Sequence, residues 1–457
     1  MTETNNPRPL SLYEQLLKRD RERKFRRRRI VFFSALAVVL LVVGVIVFVG
    51  GTALNFNANL HRSDALNGQE VPKLTQDTNI LVMGLDTRVD EQGHPLPAEM
   101  YDALHAGDAS IGGYNSNVLM LIHIPADGSK ATGISIPRDD YVDVAGIPDG
   151  GPGKAKIKEA YGYGFDAEKT SLINSGKPDD DSTYQAARDA GRKAEIATVS
   201  KFLGNNVHID HFIEVTMAAF YQTAQAIAPI TVCVNRATQD TFSGADFKAG
   251  IQQIDAKQAM AFVRQRRDTT DPNYQFSDLD RERRQQAFIT SVSHQLKQAG
   301  TFTDIGKMQG VLEAVSKNIV VDADLNLIEL AQQATALTGG NIAFTTLPIT
   351  GFGVSPDGAS INTIDIDEVQ ATVKELLTPA PPATQPASGT STAASGPAAD
   401  NATPAPAGPA PAAPAPAGPA QDNPAPAGPA QGNPAPTTST YADSTGALQG
   451  GTIPCVK

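Results

Sequence analysis

From Thr378 onward the sequence consists almost entirely of Pro, Ala, Gly, Ser and Thr, with PAPAGPA recurring at Pro404, Pro414 and Pro424 in a ten-residue step. A stretch with so few apolar side chains cannot offset the entropy of ordering it, and it reads as a disordered, extended polyproline linker over residues 378–450. Any sizeable core must therefore come from the residues before it. A polar stalk, 52–70, leads into residues 71–377, where strand and helix patterns mix as expected of a single α/β domain. Apolar runs at 80–85, 118–124 and 132–136 predict strands. Three- and four-residue apolar spacing predicts helices at 184–203, 217–227, 255–263, 280–298, 326–337 and 366–377.

Residues 30–51, IVFFSALAVVLLVVGVIVFVGG, carry no charge. At about 1.5 Å per residue they are long enough to cross a hydrocarbon core of roughly 30 Å, and the expectation is a transmembrane helix. A cleaved signal peptide fits less well, because its apolar core is shorter and ends at a small-residue site. The arm before it, 1–29, holds ten Lys/Arg against four Asp/Glu, about +6, so a total of −11 leaves about −17 for the rest. A basic flank of this kind stays on the cytoplasmic side. The expected topology is thus single-pass in the cell membrane, N-terminus cytoplasmic and domain extracytoplasmic, with membrane lipid as a partner. The basic run has no aromatic interleaving beyond Phe25, and nucleic acid is not an expected partner.

Cys233 and Cys455 are the two cysteines, too few for a disulfide framework or a CxxC metal cluster. The end segment 451–457, GTIPCVK, sets Cys455 in an apolar context. Two readings stand: a bond to Cys233 that ties the tail to the domain, or two thiols.

Three clusters carry Arg and Asp at predicted strand ends and loops. NILVMGLDTR delivers Asp86 and Arg88 just past an apolar run, where a hard cation would find a carboxylate. The run NSNVLMLIHIPADGSKATGISIPRDDYV reads as a hairpin turning at Ala126, Asp127 and Gly128 that ends on Arg138, Asp139 and Asp140. Nearby, KIKEAYGYG puts Lys156 at the mouth of a short helix, suited to a phosphate contact. The densest cluster, FVRQRRD to SDLDRERRQQAF, supplies Arg264, Arg266, Arg267, Asp278, Asp280, Arg281, Arg283, Arg284 and Gln285. Arg264 and Arg266 share a face only if that stretch is extended; Arg281, Arg284 and Gln285 share a helix face whose N-cap reads as Asp278 or Asp280. Arg clamps phosphate bidentately, so several converging on one pocket would hold a diphosphate. The bland alternative is a solvated charged helix face; Phe262, Leu279, Phe288 and Ile289, interleaved with the charges, argue for the pocket. No HExxH, P-loop, nucleophile elbow or dinucleotide fingerprint is present.

In the ordered set GLDTR, SIPRD, KIKEAY, FVRQR and DLDRERRQQ, spanning most of residues 79–290, the sequence resembles the LytR-CpsA-Psr family of cell-wall glycopolymer transferases. The resemblance implies a three-layer α-β-α domain with a central mixed sheet. It also implies a polyprenyl diphosphate-linked glycan as donor, peptidoglycan as acceptor, an apolar tunnel for the lipid chain, and Mg²⁺ (or Mn²⁺) on the diphosphate. Carried over by position, Asp86, Arg138 and Arg281 are the expected catalytic residues. Arg88, Lys156, Arg264, Arg266, Asp278, Arg284 and Gln285 are expected at the substrate, and Asp86 with Asn117 at the metal. Asn117 is a departure: it stands where the family usually has a second carboxylate, so it would coordinate by an uncharged amide oxygen. The motif style and the long tail look actinobacterial, which makes arabinogalactan the expected glycopolymer. A polyprenyl diphosphate hydrolase and a weakly catalytic scaffold for the lipid-linked glycan are the alternatives.

Overall fold

Strand-forming runs that are apolar on both faces need cover on both faces, and strand Thr78–Leu85 is such a run. Its Leu81 and Met83 pack into one core and Val82 against another. The computed structural model describes residues 60–66, 77–110, 113–126, 130–204, 207–271, 273–274, 276–299, 319–326, 330, 342–378 and 446–457. The chain divides into two units, residues 1–378 with 439–457, and residues 379–438; all described residues belong to the first.

The described strands are β1 (His61–Ser63), β2 (Thr78–Leu85), β3 (Ser116–Ile124), β4 (Ala131–Ser135), β5 (Tyr141–Asp143), β6 (Lys154–Lys156), β7 (His211–Thr216), β8 (Ile230–Val234) and β9 (Thr238–Asp240). They continue with β10 (Ala245–Phe247), β11 (Gly250–Ile254), β12 (Ile319–Asp322), β13 (Ile342–Thr346), β14 (Gly351–Val354), β15 (Ser360–Thr363), β16 (Leu448–Gln449) and β17 (Cys455–Val456). The helices are α1 (Ala98–Leu104), α2 (Ala160–Asn174), α3 (Asp181–Leu203), α4 (Met217–Ile227), α5 (Ala256–Arg264), α6 (Asp278–Gln298) and α7 (Ile366–Leu377).

The central sheet runs β1-β12-β7-β2-β3-β4-β13-β16 and is mixed. β3 is antiparallel to both β2 and β4, while β7 is parallel to β2 and β13 parallel to β4. One face packs Leu81, Met83, Leu119 and Leu121 against Ile196, Val199 and Phe202 of α3 and Val369 and Val373 of α7. The other packs Met120 and Val82 against Phe262 of α5 and Phe288 of α6. The α/β domain with a central mixed sheet is as expected.

Helix starts are set by side-chain caps: Asp180, Thr216, Asp255 and Asp365 each accept a first-turn amide hydrogen. α6 differs from expectation. Its N-cap is Ser277, and Asp280 reaches back to the Ser277 amide at 2.7 Å, so Asp280 is the third helical residue of a capping box. α3 hides a charge knot that its polar composition did not announce. Arg188 and Arg192 are buried and converge on Glu214 of β7, which also accepts the Tyr161 hydroxyl at 3.0 Å.

Cys233 and Cys455 form a disulfide, resolving the two sequence readings. β17 pairs parallel with β8, and β16 pairs antiparallel with β13. Leu448 and Gln449, expected in the linker, are therefore part of the central sheet.

Among the described residues no helix is long and apolar enough to cross a membrane. The expected transmembrane helix, residues 30–51, lies outside the described residues, as do the basic arm and residues 379–445 of the expected disordered tail. The fold-class expectation is corrected accordingly. The described architecture is the α/β domain without a membrane-spanning helix, and the single-pass topology and cell-membrane localisation that rested on one are set aside. The expected helix at 326–337 falls mostly outside the described residues.

Candidate functional site

Because β3 is antiparallel to β2 and β4, the end of β2, the start of β3 and the end of β4 lie along one edge of the sheet. That edge carries Asp86, Asn117 and Arg138. Gly84 permits the close approach: a Cβ there would sit 2.8 Å from the Val118 Cβ. A cavity of about 540 Å³ opens beside this edge, closed on its other sides by α4, α5, α6 and the β9–β10 turn.

Its lining is split. Arg88, Arg138, Lys158, Arg264, Arg266, Arg267 and Arg281 face two carboxylates, Asp86 and Asp240, so cations outnumber anions in a protein whose total charge is −11. The positive charge is local and therefore speaks to a ligand rather than to the surface at large. Most of the remainder is apolar, including Val82, Val118, Val215, Met217, Phe220, Met260, Val263, Phe288 and Ile289. Asp86 to Val82 is four residues of strand, about 13 Å, and Arg281 to Ile289 is eight residues of helix, about 12 Å. Strand and helix thus run together from a charged mouth to an apolar interior.

At the mouth the side chains are linked. Asp86 Oδ2 accepts from Asn117 Nδ2 at 2.7 Å, and Asn117 Oδ1 accepts from Arg138 at 2.5 Å. Asp278 Oδ2 gathers two guanidinium groups, Arg138 at 3.1 Å and Arg281 at 2.8 Å. Asp139 takes Lys158 at 2.6 Å. Burial raises the Asp86 carboxyl above its ordinary value despite Arg88 nearby. Burial, with Arg88 and Arg266 alongside, pushes Arg264 down to about 10. Guanidinium groups crowded in this way are poised for an anion that relieves their repulsion.

The expected residues divide. Asp86, Arg88, Asn117, Arg138, Arg264, Arg266, Arg281 and Gln285 all line the cavity. The helix ends at Arg264, and Gln265 turns the chain extended with φ −57° and ψ 129°, so Arg264 and Arg266 reach the cavity while the Gln265 side chain points into the body. Lys156, Asp278 and Arg284 are not in the lining. Lys158 lies there in place of Lys156, and Asp278 acts through the two arginines it binds. Arg284 is fully buried: it donates to Gln265 Oε1 at 2.7 Å and to the main-chain oxygen of Lys457 at 2.6 Å, between the rings of Phe247, Phe262 and Phe276. Spacings of three and four put Arg284 and Gln285 on opposite shoulders of Arg281, and only Gln285 faces the cavity. Phe242, Ser243 and Asp240 also line it and belong to no motif read from the sequence.

A divalent cation of the magnesium type takes hard oxygen donors and is usually held by one or two carboxylates together with substrate phosphates. Asp86 fits that role. Asn117, expected beside it, turns its amide nitrogen to Asp86 and its oxygen to Arg138. The reverse orientation would set oxygen against carboxylate and N–H against guanidinium, so both neighbours fix the one observed. Among the described residues no group of three or more His, Cys, Asp or Glu is placed to hold a metal. Asp86 thus fits a cation shared with a phosphate ligand.

Fold and cavity together define an α/β protein with a cationic, amphipathic ligand site. The chain belongs to the LytR_cpsA_psr family, whose model matches residues 45–378. It is similar to the cell wall biosynthesis protein LcpA of Corynebacterium glutamicum, 35% identical over 359 residues, covering 77% of this chain and 67% of that one. It is also similar to the polyisoprenyl-teichoic acid–peptidoglycan teichoic acid transferase TagU of Oceanobacillus iheyensis, 26% identical over 368 residues, covering 78% and 96%. Among solved structures it resembles Bacillus subtilis TagV, with a TM-score of 0.46 and 19% identity, covering 67% of this chain and 99% of that chain.

Proposed function

We propose that this protein transfers a glycopolymer, joined through phosphate, from a polyprenyl diphosphate carrier to a hydroxyl of peptidoglycan, and that the polymer is arabinogalactan. The observation that carries the reading is the split cavity, a cluster of guanidinium groups opening onto an apolar interior. A prenyl chain suits the interior and a diphosphate the mouth. Family membership and the name of the TagU relative support the same donor and acceptor classes.

In this reading Arg138, Arg264, Arg266 and Arg281 hold the diphosphate oxygens, and Lys158 and Arg88 add charge. The acceptor hydroxyl oxygen bonds to the phosphorus that bears the glycan, and the bond from that phosphorus to the bridging oxygen breaks. Polyprenyl phosphate leaves with the electron pair. Asp86, its carboxyl raised by burial, takes the hydroxyl proton. The chemistry requires mostly positioning and charge neutralisation, which fixed guanidinium groups supply. Mg²⁺ or Mn²⁺, held by Asp86 with the phosphate oxygens, would supply further neutralisation.

A second reading, binding of the lipid-linked glycan with little turnover, is favoured by the commitment of Asn117 Oδ1 to Arg138. Release of polyprenyl phosphate from a glycan-bearing polyprenyl diphosphate separates these readings. Release stimulated by peptidoglycan fragments supports transfer, release indifferent to them supports hydrolysis with water as acceptor, and tight binding without release supports the scaffold.

A further inference from the structure

Phe242 is 64% exposed, yet its position is built. It lies in the turn between β9 and β10, where the Asp240 carboxylate, itself 2% exposed, accepts the Phe242 amide at 3.0 Å and the Ser243 hydroxyl at 2.8 Å. The Gly244 amide donates to the Asp240 carbonyl at 2.9 Å, and the His105 ring nitrogen Nε2 lies 2.8 Å from the Thr241 carbonyl. The Arg267 guanidinium lies 4.1 Å from the centre of the Phe242 ring, and both residues line the mouth of the cavity. A lone exposed phenylalanine is ordinary. One fixed by a buried carboxylate, stacked with a guanidinium and set at the rim of an anion-binding cavity has the features of a binding surface.

We propose that Phe242 and Arg267 form a platform for a sugar ring next to the diphosphate site, an inference that rests on the transfer reading above. A sugar ring presents a face of C–H bonds and a rim of hydroxyls. The C–H face matches the electron-rich face of the phenyl ring, and the hydroxyl rim matches the guanidinium donors of Arg267. A prenyl chain gains more from the apolar interior than from a rim beside a charge. The ring belongs either to the first sugar of the donor, bonded to the distal phosphate, or to the acceptor; the chemistry is shared and the experiment separates the two.

The test uses the full chain and two synthetic probes, polyprenyl diphosphate and the same lipid bearing one N-acetylhexosamine on its distal phosphate. The readout is the ratio of the two affinities. In the wild type the sugar tightens binding about fivefold to tenfold, the range of one ring-stacking contact. Phe242→Ala brings the ratio near one and Phe242→Trp restores it if the ring is the donor's. If it is the acceptor's, the ratio is unmoved and Phe242→Ala instead raises the KM for a peptidoglycan fragment by a similar factor. A Phe242→Ala protein with both the ratio and the acceptor KM unchanged overturns the platform. A wild type that binds neither lipid overturns the transfer reading itself, and so is told apart.

Discussion

Replacing Asn117 by Asp tests the logic of the mouth most sharply. The substitution changes an N–H donor 2.7 Å from Asp86 Oδ2 into a second carboxylate oxygen. Two unit charges about 4 Å apart at an effective dielectric of about 20 repel by about 4 kcal/mol. The stronger, charge-assisted bond to Arg138 returns roughly 1 kcal/mol, leaving a net penalty of about 3 kcal/mol. Without a cation that repulsion adds to burial in raising the pair's upper pKa, so the pair holds a proton more readily than Asp86 alone. With a divalent cation between the two groups that repulsion is relieved, so magnesium binding should tighten about 100-fold in Asn117→Asp. Isothermal titration of the protein with MgCl₂ measures this directly, with proton release as a second signal. Magnesium affinity within twofold of the wild type, and no proton release, would refute the electrostatic reasoning.

The other predictions concern the framework. Glu214→Gln removes the buried carboxylate that Arg188 and Arg192 share, leaving only Glu91 to Arg188 and Asp189 to Arg192, and should cost about 3 kcal/mol in chemical denaturation; a loss below about 1 kcal/mol would contradict the charge knot. Burial pushes Asp140 and Glu195 up to about 8, so between about pH 5 and 8 the folded form holds protons the unfolded form has lost, and stability falls as pH rises through that window. The urea midpoint should decline from pH 5 to 8 and decline less in Asp140→Asn; a rising midpoint would exclude it. Glu214 has the opposite sign: although burial opposes it, Arg188 and Arg192 hold it at about 2, so its contribution is present above its ordinary value of 4.5 and is lost as pH falls toward 2. Cys233 and Cys455 are 222 residues apart, and loop closure on that scale is worth about 5 kcal/mol in the chain-entropy model. The Cys233→Ala/Cys455→Ala protein should unfold at markedly lower guanidinium concentration, and an unmoved midpoint would count against it.

Much of the site was legible because it is built on local pattern. The runs at 80–85, 118–124 and 132–136 became β2, β3 and β4 with small changes at their ends, and the residues just past them carry Asp86 and Arg138 to one sheet edge. What escaped depends on distant partners. No local pattern singles out Arg188 and Arg192, because Glu214, which draws them inward, lies on a strand over 20 residues later. α2 was hidden by the glycines of AYGYGF, which suggest a short helix where Gly164 instead lets α2 pack closely against Ala190 and Ala194 of α3. Arg284 shares the arginine-rich segment with Arg281, but its partner is Lys457, brought back by β16, β17 and the disulfide. The Phe242 turn has no motif, since an exposed ring acquires meaning only from the cavity beside it.

The central proposal, transfer through the arginine-lined mouth, is tested most directly by following a radiolabelled glycan from polyprenyl diphosphate into isolated peptidoglycan. Wild type is compared with Arg281→Ala, and the folded state of each is checked by circular dichroism. The account predicts label bound through phosphate to peptidoglycan with the wild type, and a loss on the order of 100-fold or more with a folded Arg281→Ala protein. A folded Arg281→Ala protein that transfers label at the wild-type rate, or a wild type that binds the donor and never labels peptidoglycan, would contradict it.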